Sequence, residues 1–343
     1  MPSVAIVGAG CSGLAAAHVL HDAGYDVTLY EASDEVGGRA TTRARVGFIY
    51  DYGAQYIKQG NSASVAFITG RFRTSDFINI EKGVWIFDQS SHIQEGDAGQ
   101  NAEPRWSYRS GLIHLPQCMA ENLTIAYNTS ITRLQFEHQR WTIHTKERQT
   151  IAGFSHVLVT LPAPQAADLM QASQCPQELQ DMARLHLRAA RYNPLLSVML
   201  GYRTRPRTRP YYALVNTDKA HAISWLAWEH EKAPERVPAG AGLLIAQMAP
   251  SYSEAHWQAA DTDIVQDVAH RVSELLGEPL HKPYFSDIQR WPYALPAEKA
   301  DAVKLNAATM PYGLAFCGDA YIGGRVHLAI EHGMMVAREM ISH

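Results

Sequence analysis

The residues with the clearest chemical arrangement stand near the start of the chain. Gly8-Ala9-Gly10-Cys11-Ser12-Gly13 follows directly on Ser3 to Val7, a short β-branched run that reads as a buried parallel strand. Leu14 onward reads as a helix with small residues on one side, closed by Gly24, and Tyr25 to Tyr30 reads as a second strand ending at Glu31. In this order each part serves a pyrophosphate. Gly8 permits the tight turn, Gly10 lets the backbone approach the phosphates, and Gly13 lets helix and strand pack closely. The helix N-terminus, at Cys11 and Ser12, supplies free N–H groups and a positive dipole end. Glu31 is placed to accept from the adenosine ribose hydroxyls, and its carboxylate repels a 2′-phosphate, which disfavours NADP. The spacing predicts a dinucleotide site.

Two further groups extend that site. Past Glu31 and Ala32, the glycine pair Gly37-Gly38 and Arg39 put open backbone and a cation beside the same pyrophosphate. Asp51-Tyr52-Gly53-Ala54-Gln55-Tyr56 is a glycine-centred loop rich in polar groups. Near the other end of the chain, Leu314 to Cys317 reads as a short buried strand running into Gly318-Asp319, a Gly323-Gly324 loop and a helix from about Val326 to Met340. Such a unit suits a long ligand held at both ends. Asp319 is placed for a ribitol hydroxyl, and the helix N-terminus near His327 and Leu328 offers positive potential to an anionic ring edge.

The elements that must position these residues fit a chain of 343 residues, enough for two domains. Apart from Gly83 to Asp88, which reads as a strand, the stretch from about Gly70 to Gln117 is weakly patterned. The apolar runs LLSVMLGY, AISWLAW and LLIAQMA predict an antiparallel sheet. A helix over Asp261 to Leu276 packs on it through Ile264, Val268, Val272 and Leu275. TSITRLQFEHQRWTIHT alternates like a hairpin. The predicted fold class is α/β: a discontinuous Rossmann-like domain over residues 1–70, 118–164 and 283–343, with an inserted α+β domain over 71–117 and 165–282. No internal repeat or low-complexity linker interrupts this plan.

Bulk properties narrow the function classes. A net charge of -4 argues against a broad electrostatic grip on nucleic acid. No run of eighteen apolar residues predicts a membrane span, and the N-terminus lacks a basic region ahead of its glycine motif, so a cytoplasmic location is expected. Cys11, Cys118, Cys175 and Cys317 form no C-x-x-C pair and read as reduced thiols, and no metal site is expected. His18 and His21 share a helix face without a third ligand and read as surface histidines. In YRTRPRTRPYY, Arg203, Arg205, Arg207 and Arg209 alternate, while Pro206 and Pro210 rule out a central strand. A solvated loop and a local anion site are the two readings of that segment.

GAGCSG, the Glu31 to Arg39 spacing, DYGAQY and the terminal FCGD together resemble the FAD-dependent amine oxidase superfamily. Within it, GGRATTR and DYGAQYI are most similar to the renalase-like members. The resemblance covers the whole chain and implies dissociable FAD, held extended across the discontinuous domain. By that resemblance the pyrophosphate loop is Gly8, Gly10 and Gly13, the ribose acid is Glu31 and the phosphate-side arginine is Arg39, with Ile131 supplying backbone to the adenine. The flavin-side contacts are Gln55, Trp291, Asp319, His327 and Leu328, and pocket walls are expected at Tyr56, Trp225 and Trp291.

The implied chemistry is removal of a hydride from a carbon next to nitrogen, delivered to flavin N5, with the last helix near His327 stabilising charge at N1 and C2=O. A neutral donor needs no general base. Dihydronicotinamides with oxygen as acceptor are the first substrate reading, though Gln247 and Trp228 depart from the renalase-like pattern. A small amine or polyamine is the second, with Glu229 and Glu231 as acidic candidates that read more simply as exposed loop charges. A flavin-binding, redox-responsive protein without turnover is the third.

Overall fold

The computed structural model describes residues 1–343. Its first layer is an all-parallel sheet of five strands in the order Thr124–Ala126, Asp26–Tyr30, Ser3–Val7, His156–Val159 and Leu314–Phe316. Ser3–Val7 lies at its centre, and side-chain alternation sorts the strand into two cores: Val4 and Ile6 face one, Ala5 and Val7 the other. Helix Cys11–Asp22 covers the first core, with Leu14 and Ala15 to Ala17 fully buried. Helix Val326–Ser342 packs across it, so close at Gly333 that a Cβ there would strike the Ser12 carbonyl. That crossing joins the two ends of the chain into one unit.

The second layer is a seven-stranded sheet in the order Phe285–Glu298, Arg191–Tyr202, Gly242–Met248, Ile223–Trp228, Tyr211–Asn216, Gly83–Phe87 and Ile93–Gln94. Its pairings are antiparallel except that between Tyr211–Asn216 and Gly83–Phe87, which is parallel. Helix Asp261–Leu276 closes one face through Ile264, Val268, Val272 and Leu275, the spacing the sequence predicts. The opposite face carries Trp225, Gln247 and Trp291. Ile131–Glu137 and Arg140–Thr145 form the expected hairpin, joined by a third strand, Thr150–Phe154. The α/β class read from the sequence is therefore the observed one.

Three segments sit elsewhere than the sequence-based boundaries put them. Phe285–Glu298, assigned to the parallel-sheet unit through residues 283–343, instead pairs along Arg191–Tyr202. Pro292 and Pro296 hid this strand, but it is an edge strand, where proline is tolerated. Within 71–117, only Gly83–Phe87 and Ile93–Gln94 join the seven-stranded sheet. Phe72, Trp106, Tyr108, Leu112 and Leu115 pack into the core under the first helix. Helices Ala163–Ala172 and Gln177–Leu187, at the start of the 165–282 block, cover the other face of the parallel sheet.

One local expectation also changes. His18 is not a surface histidine: it is buried, its Nε2 lies 2.7 Å from the Met119 carbonyl, and desolvation lowers its pKa. The four arginines lie in the loop between Tyr202 and Tyr211, but they diverge. Arg203 lies over Tyr284, Arg205 donates to the Ala241 carbonyl, and Arg209 donates to Leu276 and Glu278. Three of the four guanidinium groups are thus turned to separate partners rather than toward one another, which favours the solvated-loop reading. No helix is long and apolar enough to cross a membrane.

Candidate active site

At the start of the chain the glycine loop leaves an open cradle. Gly8 holds φ at +103°, a conformation L side chains rarely adopt, and a Cβ on Gly13 would strike the Gly8 carbonyl oxygen. Gly10 has no atom within 4 Å of where its Cβ would stand, and Gly38 has only the Gly10 Cα, at 3.9 Å. The first intrahelical bond runs from Leu14 N–H to the Gly10 carbonyl at 3.0 Å, leaving the amides of Cys11, Ser12 and Gly13 without intrahelical partners. Glu31 closes the cradle, accepting from the Ala9 amide at 2.8 Å on one oxygen and from Ser33 on the other. Ala32 beside it is exposed. Ile131 lies just beyond Thr129, whose amide donates to the Glu31 carbonyl at 2.7 Å, so the segments carrying Glu31 and Ile131 are adjacent. Burial pushes the Cys11 and Cys317 thiols up to about 12, so both stay protonated at neutral pH.

Gly318 lies against Ser12, which brings the terminal motif onto the same cradle. Asp319, expected to receive a ribitol hydroxyl, is instead engaged by Arg39 through two bonds of 2.7 and 2.6 Å and by the Tyr192 hydroxyl at 3.1 Å. Arg39 also donates to the carbonyls of Tyr293 and Ala294. Burial works against its charge, but Asp319 more than compensates. Two conspicuous loop residues, predicted to serve different parts of a ligand, thus serve each other first. His327 and Leu328 occupy the first turn of the last helix, as expected. The Nδ1 of His327 is buried without a partner, and desolvation lowers its pKa. The Tyr321 hydroxyl is likewise buried and unpartnered.

An aromatic wall comes from the 51–56 loop lying on the seven-stranded sheet. Trp291 stacks on Tyr52 at 5.6 Å and 10° and donates from Nε1 to the Tyr52 carbonyl at 2.9 Å. Tyr56 stacks on Trp225 at 6.1 Å and 26°. Gln247 lies between the pairs and donates to the Gly53 carbonyl at 2.7 Å. Arg43 caps the first pair, 4.1 Å from the Tyr52 ring and bonded to Asp287 at 2.6 Å. Trp228 does not reach this wall; it is buried on the opposite face, against Tyr211.

Beneath the loop lies a charge cluster that sequence reading missed. Asp51, Glu229, Lys232 and Arg236 all have fully buried side chains. Lys232 Nζ lies 3.0 Å from Asp51 and 3.0 Å from Glu229, while Arg236 contacts Asp51 at 2.7 Å and pairs closely with Glu229. Glu229 is therefore not the exposed loop charge expected of it; Glu231, half-buried, pairs with Lys82. Burial works to raise the Asp51 carboxyl, but Arg236, Lys232 and hydrogen bonds from Leu112 and Thr42 hold it well below the usual range. Gln55 joins this cluster: it accepts from Lys232 at 3.2 Å and donates to the carbonyls of Asp51 and Gly53. The only signal available in the sequence was the density of charge in EHEKAPER.

Comparison with known proteins bears on this architecture. Residues 6–69 match the model of the NAD(P)-binding Rossmann-like domain, and residues 75–341 match that of the flavin containing amine oxidoreductase family. This chain belongs to that family. It is accordingly a flavin oxidoreductase, and its cofactor is FAD. A 4,4'-diapophytoene desaturase from Staphylococcus haemolyticus (strain JCSC1435) is 34% identical over 85 residues, 25% of this chain but 17% of that protein's length. Cyclohexylamine oxidase from Brevibacterium oxydans IH-35A superposes with a TM-score of 0.78 at 13% identity, covering 99% of both chains. Putrescine oxidase bound to putrescine superposes equally well at 14% identity, covering 100% of this chain and 99% of that one. At such identities these structures establish the shared fold.

The residues present fit FAD. The amides at the helix start, the open space at Gly10 and Gly38, and the unpartnered His327 Nδ1 offer donors and room where a flavin dinucleotide needs them. Bound there, FAD supplies a two-electron acceptor at N5. With that group in place, residues 10–13 would offer amides to its phosphates and the last helix would turn its N-terminus toward its ring.

Proposed function

We propose that this chain is a renalase-like oxidase that removes a hydride from a dihydronicotinamide-type substrate and uses oxygen as acceptor, acting in the cytoplasm. The observation that carries this reading is the charge state of the wall. Asp51 and Glu229 are paired with Lys232 and Arg236, Asp287 with Arg43 and Arg45, and Asp319 with Arg39. The carboxylates near the stacked aromatics are thus already matched by cations. That arrangement suits a flat, uncharged ring better than an ammonium seeking a counter-ion. Glycine loop, Glu31, Gly38, Arg39 and Ile131 would hold the dinucleotide part of FAD. Tyr56, Trp291, His327 and Leu328 would border the ring, and the Gln55 amide would act from behind the wall.

An amine substrate is the second reading, favoured by the full-length likeness to putrescine and cyclohexylamine oxidases. Anaerobic mixing of the purified yellow protein with dihydronicotinamides and, separately, with amines tells them apart. Bleaching of the flavin band by dihydronicotinamides within seconds is expected. Bleaching by putrescine or cyclohexylamine alone would overturn the first reading in favour of the second, and bleaching by neither would overturn both.

A further inference from the structure

The 51–56 loop is held by more partners than a surface connection needs. The Tyr52 carbonyl accepts from Trp291, the Gly53 carbonyl from Gln247 and Gln55, and the Ala54 amide donates to the Arg39 carbonyl at 2.9 Å. The Gln55 amide has one orientation that works. Its nitrogen faces the carbonyls of Asp51 and Gly53, at 2.6 and 3.2 Å, and its oxygen faces the Lys232 ammonium, at 3.2 Å. Flipped, it would set oxygen against two carbonyl oxygens and N–H against an ammonium, all out of water. The Lys232 side chain is wholly buried, and no other donor reaches the Gln55 oxygen.

We propose that Lys232 is a positioning residue for the flavin-side wall, fixing the orientation of the Gln55 amide and through it the backbone that carries Tyr52 and Tyr56. Lys232 touches neither ring; it acts at one remove, from a segment about 180 residues away in the chain. Arg236 already bridges Asp51 and Glu229, so it is the ammonium alone that extends the cluster to Gln55. The proposal rests on residues 52–56 lining the flavin, and not on which substrate is oxidised.

The test is a mutant cycle between Lys232 and Gln55, read without substrate. Lys232→Met combined with Glu229→Gln removes the ammonium while keeping the buried charges balanced. Near-UV circular dichroism of the apoprotein reports the stacked Tyr52–Trp291 and Tyr56–Trp225 pairs. FAD titration reports affinity, and the visible band of the bound flavin reports its surroundings. We expect an altered aromatic signal and a roughly tenfold weaker FAD affinity, within the range of coupling through positioned neighbours. Gln55→Met should give the same changes, and adding it to the Lys232→Met/Glu229→Gln protein should change little more, because both act through one amide. Effects that multiply in the combined variant would overturn the proposal. So would a folded Lys232 variant with unchanged aromatic signal, or one with a changed signal but unchanged FAD affinity and visible band. Should the Lys232 variant fail to fold, Gln55→Met, with all four charges intact, must still alter the aromatic signal and FAD affinity; an unaltered Gln55→Met protein overturns the idea by itself. A wrong substrate assignment would leave every one of these readouts untouched.

Discussion

The two ends of the candidate cofactor track are built on opposite principles. At the phosphate end, recognition is local: backbone amides at residues 11–13 and glycine spacing within one strand–turn–helix unit, with Glu31 one strand further on. At the ring end it is assembled from distant pieces. Trp291, Gln247 and Trp225 come from three strands, the loop at 51–56 lies on them, and Lys232 and Arg236 anchor that loop from below. The first design depends on the absence of side chains, the second on a buried balance of charge. They should therefore fail differently.

The largest effect is expected at the ring end. Glu229→Ala leaves two buried cations facing one carboxylate, a loss of about 3–5 kcal/mol for breaking a buried pair. Thermal unfolding should show a melting temperature lower by roughly 5 °C; a shift under about 2 °C would mean that water or a neighbour replaces the carboxylate at little cost. At the phosphate end, two glycines separate space from packing. Gly10→Val puts its side chain into open cradle, so the protein should fold normally yet lose yellow colour, with FAD affinity down by ~100-fold or about 2.7 kcal/mol. Gly13→Val collides with the Gly8 carbonyl and should destabilise by about 1–3 kcal/mol or more. A fully flavinylated Gly10→Val protein would contradict the assignment of the cradle.

A smaller effect sharpens the wall. Trp291→Phe keeps an aromatic face on Tyr52 but removes the donor to its carbonyl, worth about 1 kcal/mol. Flavin reduction by the productive substrate should slow roughly fivefold, and an unchanged rate would show that stacking alone fixes the loop. Acid is the mildest probe, and it reaches both regions. His332, under the cradle, accepts from the Gly318 amide at 3.1 Å, and His230, in the other unit, accepts from the Leu243 amide at 3.2 Å. Desolvation lowers both pKa values to about 4. The unfolded chain then binds more protons than the folded one below the ordinary histidine pKa, so stability is full above about 6.5 and declines toward pH 4. The melting temperature should fall by a few degrees across that window, and His332→Gln should flatten the decline.

This contrast also explains what could be read from the residues alone. The glycine loop, Glu31, the central strand and the Asp261–Leu276 helix were legible because each is a short-range pattern. The partnership of Arg39 with Asp319 was not, because nothing in either local motif says that two polar residues 280 positions apart will meet. Glu229 misled for a related reason: a charged cluster such as EHEK is ordinarily solvated, and only the docking of residues 51–56 above it makes burial tolerable. His18 misled because its helix is buried almost all round, so no polar face marks which histidine points inward. Pro292 and Pro296 masked a strand whose position at the sheet edge makes them acceptable.

That edge strand has a consequence for how the chain behaves among its own copies. An outermost strand of fourteen residues offers a row of unpaired backbone groups on which another chain can pair. Here two prolines remove amides from the row, and Arg39 draws on the carbonyls of Tyr293 and Ala294 from the neighbouring unit. The same arginine that borders the nucleotide cradle thereby helps finish the sheet. A substitution there would free those carbonyls at the sheet's edge and Asp319 at once, so exposure of the edge and disturbance of the Gly318-Asp319 turn would share one cause.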